Sequence, residues 1–262
     1  MIRTAIVLVL TGLCQLPSPA RAQGEVHCRL RVLALGDPPP FVQEVRNGVR
    51  YEVAPPAGEI PPRNAGILPG GSTAGAPIGI RVRLGRVSEQ VEFTLPNRNV
   101  AGILDDEGDK WLEVPLHECG ASLVLAWRKG KTWKEAAALV IPDDATARAE
   151  GSIHLTNLAA GPMAVVIGEE KIRLNPGVTI TRQQAVGSPA LPLEISYPSA
   201  TGGLVLCHTA MLEPVGGTFK RFIIHMADGK RPKLPVKVVR IEEASGSSEI
   251  VSNSGSASST RR

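Results

Sequence analysis

The sequence has few aromatic residues, few cysteines and no long apolar run, and each shortage excludes a class of protein. Its 262 residues include four Phe, three Trp and two Tyr, which leaves only a few tryptophans for a sugar-binding platform. None of the four cysteines stands in the CxxC spacing that sulfur ligation of a metal needs. Hydrolase elbows, phosphate-binding loops and dinucleotide fingerprints are also absent. The sequence therefore predicts no cofactor, no metal site and no catalytic residues.

The charge balance argues against nucleic acid as a partner. The formal net charge is +4, but the excess lies at the two ends, because residues 23–244 hold 25 basic and 24 acidic residues. A phosphate-binding surface needs clustered positive charge. The densest basic run, residues 230–240, contains two prolines and is followed by Glu242 and Glu243. We interpret this run as a solvated strand face, with an anionic-polymer site as the alternative.

The first 22 residues have the pattern of a cleaved secretory signal peptide. Arg3 supplies the positive start, residues 4–14 are apolar, and the small residues Ala20 and Ala22 precede Gln23. An apolar stretch of this length is too short to cross a bilayer, which needs about 20 residues. No later run is long enough either. We therefore expect export to the periplasm or the extracellular space, without a transmembrane segment.

Short runs of alternating apolar and polar residues recur along the rest of the chain, which is typical of an all-β fold. They are spaced by about 8–12 residues, and the 27 Gly and 22 Pro interrupt the chain too often for long helices. The polar residues 142–147 separate two series of such runs. We therefore predict two tandem antiparallel β-sandwich (Ig-like) domains at residues 23–143 and 144–244. Residues 245–262 are Ser/Gly-rich and predict a disordered tail.

Residues 55–77 hold six Pro and five Gly. Because proline lacks the N–H that a β-ladder needs, we interpret this stretch as a long surface loop in the first domain. Whether that loop is functional stays open at this point.

Residues 132–141 allow two interpretations. Thr132 followed by Glu135 is a capping-box pattern that favours a short helix closed by Pro142. The alternative is a hairpin that turns at Lys129-Gly130-Lys131, which would place Trp127 opposite Trp133 across the two strands. We favour the hairpin.

At this junction the sequence resembles a group of exported bacterial β-sandwich proteins of unknown function. The resemblance rests on LVLAW at residues 123–127, ALVIPDD at 138–144, GSIHLTNL at 151–158 and LNPG at 174–177. It extends over residues 122–243 and implies the hairpin and a strand after the boundary. It implies no catalytic residues.

Three cysteines remain after removal of the signal peptide: Cys28, Cys119 and Cys207. An odd number allows at most one internal bridge. We favour a disulfide between Cys28 and Cys119, because both lie in the first predicted domain. The alternative is three separate buried thiols that pack as small apolar side chains.

Because no set of catalytic residues converges, we predict a non-catalytic binding or structural protein of the bacterial envelope or secretome. Its partner would be another envelope or secreted protein. The first candidate surface is the turn around Trp127, Lys129, Lys131 and Trp133. The alternative is a hydrolase with a site near the domain junction that involves His117 or His154.

Overall fold

The computed structural model of the protein describes residues 26–70, 76–95, 100–116 and 120–246. The described residues form eighteen β-strands joined by turns and loops, with no helix among them, which confirms the predicted all-β class. The predicted signal peptide and most of the predicted tail lie outside the described residues. The strands are β1 (Val26–Leu35), β2 (Gln43–Arg46), β3 (Val49–Glu52), β4 (Asn64–Pro69), β5 (Ile78–Arg81), β6 (Val91–Leu95), β7 (Val100–Leu104), β8 (Lys110–Pro115), β9 (Ala121–Arg128), β10 (Ala136–Pro142), β11 (Ser152–Asn157), β12 (Met163–Ile167), β13 (Glu170–Leu174), β14 (Thr179–Gln183), β15 (Leu191–Pro198), β16 (Leu204–Leu212), β17 (Thr218–Met226) and β18 (Val236–Ala244).

Sixteen of these strands form four sheets of four strands each. Sheet I has the order β10-β9-β1-β6 and sheet II the order β5-β4-β7-β8, and we call these two sheets the first unit. Sheet III has the order β14-β11-β17-β18 and sheet IV the order β13-β12-β15-β16, and these form the second unit. Strands β2 and β3 form a separate exposed hairpin.

The two units repeat the same strand topology. In each, the opening strand pairs in parallel with a late strand, β1 with β9 and β11 with β17. Each opening strand also pairs antiparallel with a middle strand, β6 or β14, and each late strand with the last strand, β10 or β18. Sheets II and IV correspond strand by strand in the same way. The β2–β3 hairpin is therefore an insertion into the first unit of a repeated fold.

Three apolar layers separate the four sheets. One core lies between sheets I and II and includes Leu30 and Val32 of β1. A second core lies between sheets III and IV and includes Phe222 and Ile224 of β17. The third layer joins sheet I to sheet III, and we call it the middle layer; its buried members are Leu33, Leu35, Leu123, Leu125, Ile141 and Ile223.

The stacking explains why β1, β9 and β17 are buried along most of their length. Successive side chains of a strand point to opposite faces of its sheet. On β17, Phe222 and Ile224 enter the second core, whereas Ile223 enters the middle layer. A strand covered on both faces loses the alternation of apolar and polar residues that marks a half-buried strand. The unbroken apolar stretch at residues 222–224 of β17 has this cause.

The hairpin interpretation of residues 132–141 is confirmed, but its predicted register is wrong. Ala136–Pro142 forms β10, which pairs antiparallel with β9, and Trp127 stands opposite Ala137 rather than Trp133. The loop is longer than the three residues expected, since it extends from Lys129 to Glu135. The amide of Lys129 donates to the carbonyl of Glu135 across it at 2.7 Å. Trp133 turns inward to the first core instead.

The interpretation of residues 55–77 as one surface loop is also wrong. Asn64–Pro69 forms β4, which pairs with β5 on one side and β7 on the other. Between Pro62 and Pro69 the chain has no proline, so the residues there keep the amide donors that a ladder requires. The prolines mark the ends of the strand.

Candidate binding groove at the junction of the two units

The units meet where sheets I and III pack face to face through the middle layer. Each buried aliphatic side chain of this layer contributes about 1.5–3 kcal/mol relative to exposure. Trp127, half-buried, packs against the same layer. The junction is therefore an extended apolar contact between sheets, with charged residues at its two ends.

One end of the junction holds a buried ion network centred on Asp143, which follows β10. Arg31 of β1 donates through Nε to Asp143 Oδ2 at 2.7 Å and through Nη2 to Oδ1 at 3.0 Å. Arg221 of β17 donates through Nη1 to Asp143 Oδ1 at 2.6 Å. Arg31 also forms two hydrogen bonds with Glu243 of β18. The network therefore ties β1 of the first unit to β17 and β18 of the second.

Asp143 is 2 % exposed and stays ionised in this position. Burial by itself raises the pKa of a carboxyl group. The hydrogen bond from Arg31 and the charges of Arg221 and Arg31 together outweigh that effect and hold the pKa of Asp143 below its usual value. The ion network is therefore a charged, structural feature at neutral pH.

The other end of the junction holds a reciprocal pair of aspartates. The amide of Asp37 donates to Asp228 Oδ1 at 2.5 Å, and the amides of Asp228 and Gly229 donate to Asp37 Oδ2 at 3.1 and 2.7 Å. Arg128 donates to Asp228 Oδ2 at 2.9 Å, and Lys237 pairs with Asp37. Each aspartate is thus neutralised by one cation from β9 or β18.

This close approach depends on glycine at position 229. A Cβ built on Gly229 would lie 2.8 Å from Asp37 Oδ2, closer than a Cβ normally comes to any atom. Packing against Asp37 therefore requires glycine at position 229, whatever the conformation of the turn.

Two adjoining cavities open beside this aspartate pair, and together we call them the junction groove. Their volumes are about 410 and 670 Å³. They share Asp37, Pro38, Pro40, Gly229 and Lys230 as lining residues. The smaller cavity reaches the β9–β10 turn at Gly130 and Lys131, and the larger one reaches β16 and β18. The groove therefore crosses from one unit to the other.

The free charge of the junction groove is positive. Lys131, Lys230, Arg231 and Lys233 line it, all are exposed, and none forms an ion pair with another described residue. Glu59 also lines the groove, and its carboxylate likewise forms no ion pair with a described residue. Because Arg128 and Lys237 neutralise the two aspartates, the four remaining cations outnumber the acid. The groove is suited to a ligand with several negative charges.

The floor of the larger cavity includes Cys207 and His208, which a β-bulge brings together. Ile195 stands opposite His208 and Ser196 opposite Leu206, so Cys207 is the extra residue of β16. A bulge breaks the strict alternation of side chains. Cys207 and His208 therefore line the same cavity although they are adjacent on one strand.

The chemistry of Cys207 and His208 does not indicate a nucleophile. Cys207 is free, its Sγ donates to the Ile195 carbonyl at 3.1 Å, and burial raises its pKa. Burial and then the charge of Arg240 lower the pKa of His208. Both shifts favour the neutral forms, whereas a reactive cysteine needs a thiolate.

The predicted surface around the β9–β10 turn divides into two parts. Lys129 and Lys131 are exposed, and Lys131 lines the junction groove. Trp127 is half-buried in the middle layer. Trp133 is 2 % exposed and packs against Trp111 with ring centroids 6.2 Å apart, so it is not part of a surface.

The other predicted residues lie elsewhere or outside the described residues. Cys28 is buried and disulfide-bonded, and its predicted partner Cys119 lies outside the described residues, as does His117. His154 is buried on β11 and contacts Ser152 Oγ at 3.2 Å and Thr181 Oγ1 at 3.1 Å through its two ring nitrogens. Both nitrogens are thus engaged in hydrogen bonds within sheet III. In the part of the chain that is described, no group of three His, Cys, Asp or Glu residues is placed to hold a metal ion.

Sequence reasoning missed that Asp37, residues 38–40 and the 229–233 loop belong together. They are about 190 residues apart in the chain and meet only because sheets I and III stack. Prolines and an Asp-Gly pair each indicate a loop, and the basic run indicates a charged surface. None of these signals indicated that the two loops face each other.

No protein-family model matches the chain, and a search of curated proteins found no relative. Among the described residues, no helix is long and apolar enough to cross a membrane.

Proposed function

We propose that this is an exported, non-catalytic binding protein built from two Ig-like domains, and that it holds an acidic segment of another exported protein in the junction groove. Export is inferred from the signal-peptide pattern of residues 1–22. The observation that carries the binding proposal is the set of four unpaired cations, Lys131, Lys230, Arg231 and Lys233, contributed by both units to one groove.

The rigidity of the junction supports binding without rearrangement. The middle layer, the Asp143 network and the Asp37–Asp228 pair fix the two units along the whole contact. A groove that is already formed loses little conformational entropy when its ligand binds.

An extended acidic peptide fits the groove better than a compact anion. The cations are spread over two adjoining cavities rather than gathered around one point, and Pro38 and Pro40 supply apolar surface between them. Complementary charge of this kind steers encounter and selects partners. An acidic segment with occasional apolar side chains would contact both the cations and the apolar surface of the prolines.

The test is fluorescence anisotropy of a labelled octaglutamate peptide with purified protein at about 50 and 200 mM NaCl. We expect binding that weakens with salt, because exposed charges are screened at the higher ionic strength. Arg231→Gln combined with Lys233→Gln removes two of the cations and is expected to weaken binding about tenfold, which equals about 1.4 kcal/mol.

The matched control is Lys171→Gln combined with Arg173→Gln, which removes the same charges at the same spacing from β13. That strand is at the far edge of sheet IV from β16. Equal weakening by both double variants would refute the groove as the site. Binding of a heparin oligosaccharide without binding of octaglutamate would refute a protein segment as the ligand.

A further inference from the structure

A second basic cavity lies in the first unit, between the chain before β4 and the chain after β5. Its volume is about 490 Å³, and Arg63, Arg81 and Arg83 line it together with Asn64. Ile60, Pro61, Val82 and Leu84 supply the apolar part of the lining. We call it the arginine pocket. Small-molecule sites commonly combine an apolar lining with a few polar groups in a cavity of about 300–1,000 Å³.

The arginines of this pocket have no partners within the described chain. The guanidinium groups of Arg63, Arg81 and Arg83 form no hydrogen bond and no ion pair with any described residue. Elsewhere in the fold, Arg31 and Arg128 each form an ion pair with an aspartate. The nearby carboxylate of Asp106 accepts hydrogen bonds from the backbone amides of Arg63 and Asn64 at 3.0 and 2.7 Å instead.

A fourth arginine adds to the unbalanced charge. Arg83 and Arg86 are paired directly across a tight turn, as an isolated antiparallel bridge, with Gly85 between them in the left-handed region at φ 70°. Like charges that face each other across a β-pair are destabilising. An anion between them would remove this repulsion. Arg83, one member of this like-charge pair, lines the cavity together with Arg63 and Arg81.

The register explains why the charges gather here. Asn64 of β4 stands opposite Arg81 of β5, and the amide of Val82 donates to the carbonyl of Arg63 at 3.1 Å. Arg81 and Arg83 are two residues apart and share one face, whereas Val82 between them is buried in the first core. The alternation of arginine and apolar residues therefore serves the core on one side and the pocket on the other.

We propose that the arginine pocket binds a small organic anion through a phosphate, sulfate or carboxylate group. Guanidinium groups present paired N–H donors that match the oxygen atoms of such groups and hold them in two-point hydrogen bonds. The amide side chain of Asn64 is available to a hydroxyl group of the same ligand, and the apolar lining contacts its carbon skeleton. The site is separate from the junction groove and shares no lining residue with it.

Isothermal titration with glucose 6-phosphate, glucose 6-sulfate, glucuronate and glucose tests the proposal. The four probes share one sugar ring, so the three anionic arms distinguish the oxyanion and glucose measures binding without one. We expect at least one anionic probe to bind and glucose not to bind. Binding should weaken with added NaCl because the contacts are between charges.

Arg81→Gln and Arg83→Gln are each expected to weaken binding of the preferred probe at least tenfold. Both residues are exposed, so neither substitution disturbs the core. Arg50→Gln on the exposed β2–β3 hairpin removes the same charge elsewhere and should leave binding unchanged. No binding of any anionic probe at 10 mM, on the order of the weakest useful affinity, would overturn the proposal, as would equal loss in Arg50→Gln. Octaglutamate binding at the junction groove should not change in Arg81→Gln, so the two proposals fail separately.

Discussion

Arg31 and Glu243, which are 212 positions apart in the chain, are joined by two parallel hydrogen bonds of 2.7 and 2.8 Å. The first residue belongs to the opening strand of the first unit and the second to the last strand of the second unit. Their contact therefore joins the two units across the junction. The same guanidinium also holds Asp143, so one side chain connects both units and the segment between them.

Asp143→Asn is expected to destabilise the protein by about 3–5 kcal/mol. The substitution keeps the shape of the side chain but leaves the buried guanidinium groups of Arg31 and Arg221 without their shared counter-charge, and an unpaired buried charge is costly. Urea denaturation followed by circular dichroism measures the change. Asp109→Asn, an exposed acid outside the network, should stay within about 0.5 kcal/mol of the wild type. Equal stability of the two variants would contradict the account of the network.

The contribution of Asp143 should disappear in acid. Its pKa is lower in the folded protein than the value of about 4 in an unfolded chain. A lowered pKa gives stabilisation that is complete above the unfolded value and is lost as the pH falls through the folded value. The difference in unfolding free energy between wild type and Asp143→Asn should therefore be constant from pH 7 to about pH 5 and shrink below about pH 4. A difference in unfolding free energy that grows towards low pH would contradict a lowered pKa of Asp143.

Ile223 and Ile224 offer a matched pair of adjacent substitutions. Both are fully buried, but Ile223 enters the middle layer and Ile224 enters the second core. Each change to Ala is expected to cost about 2–5 kcal/mol. Calorimetry should show that Ile224→Ala weakens the second unit itself, whereas Ile223→Ala weakens the coupling of the units and separates their transitions.

Unchanged cooperativity in Ile223→Ala would mean that the middle layer does not couple the units. Ile224→Asp is a stronger version of the second change, because a charge in that core cannot be solvated. A folded, cooperative Ile224→Asp variant would contradict the assignment of Ile224 to the core.

The disulfide partner of Cys28 is expected to be Cys119. Arg29 pairs with Ala121 in the parallel β1–β9 ladder, and the amide of Arg29 donates to the carbonyl of Gly120 at 3.0 Å. The register thus brings the chain just before β9 to the position of Cys28. Non-reducing peptide mapping should recover one cross-linked pair that contains Cys28 and Cys119, with Cys207 recovered as an alkylated free thiol. A link from Cys28 to any other cysteine would show that the pairing is wrong.

The parts of the fold that depend on local pattern could be predicted from the sequence. Gly168 supplies the positive φ of 59° that the two-residue turn between β12 and β13 needs, and Ile167 pairs with Glu170 around it. The hairpin of β9 and β10 followed from its apolar runs. These features are set by neighbouring residues, and the alternation of side chains is enough to identify them.

The junction could not be predicted, because stacking of sheets brings together residues that no local pattern relates. From the sequence alone, Arg31 looks like an ordinary exposed charge on a strand. It is buried because Asp143 and Glu243 supply its ion-pair partners. The predicted surface position of Trp133 is wrong because the β9–β10 loop is longer than the three residues that the pattern indicates. The bulge at Cys207 left no signal in the alternation of β16, and the four cations of the groove belong to two loops about 100 residues apart.

The most direct test of the central claim, that both units contribute to one binding groove, is NMR chemical-shift mapping during titration with octaglutamate. Amide signals of ¹⁵N-labelled protein would be followed for residues 129–131 of the first unit and 229–237 of the second. The account predicts that signals from both segments shift together with one dissociation constant, while those of β13 stay in place. Shifts confined to one unit, or spread evenly over exposed lysines and arginines, would contradict it.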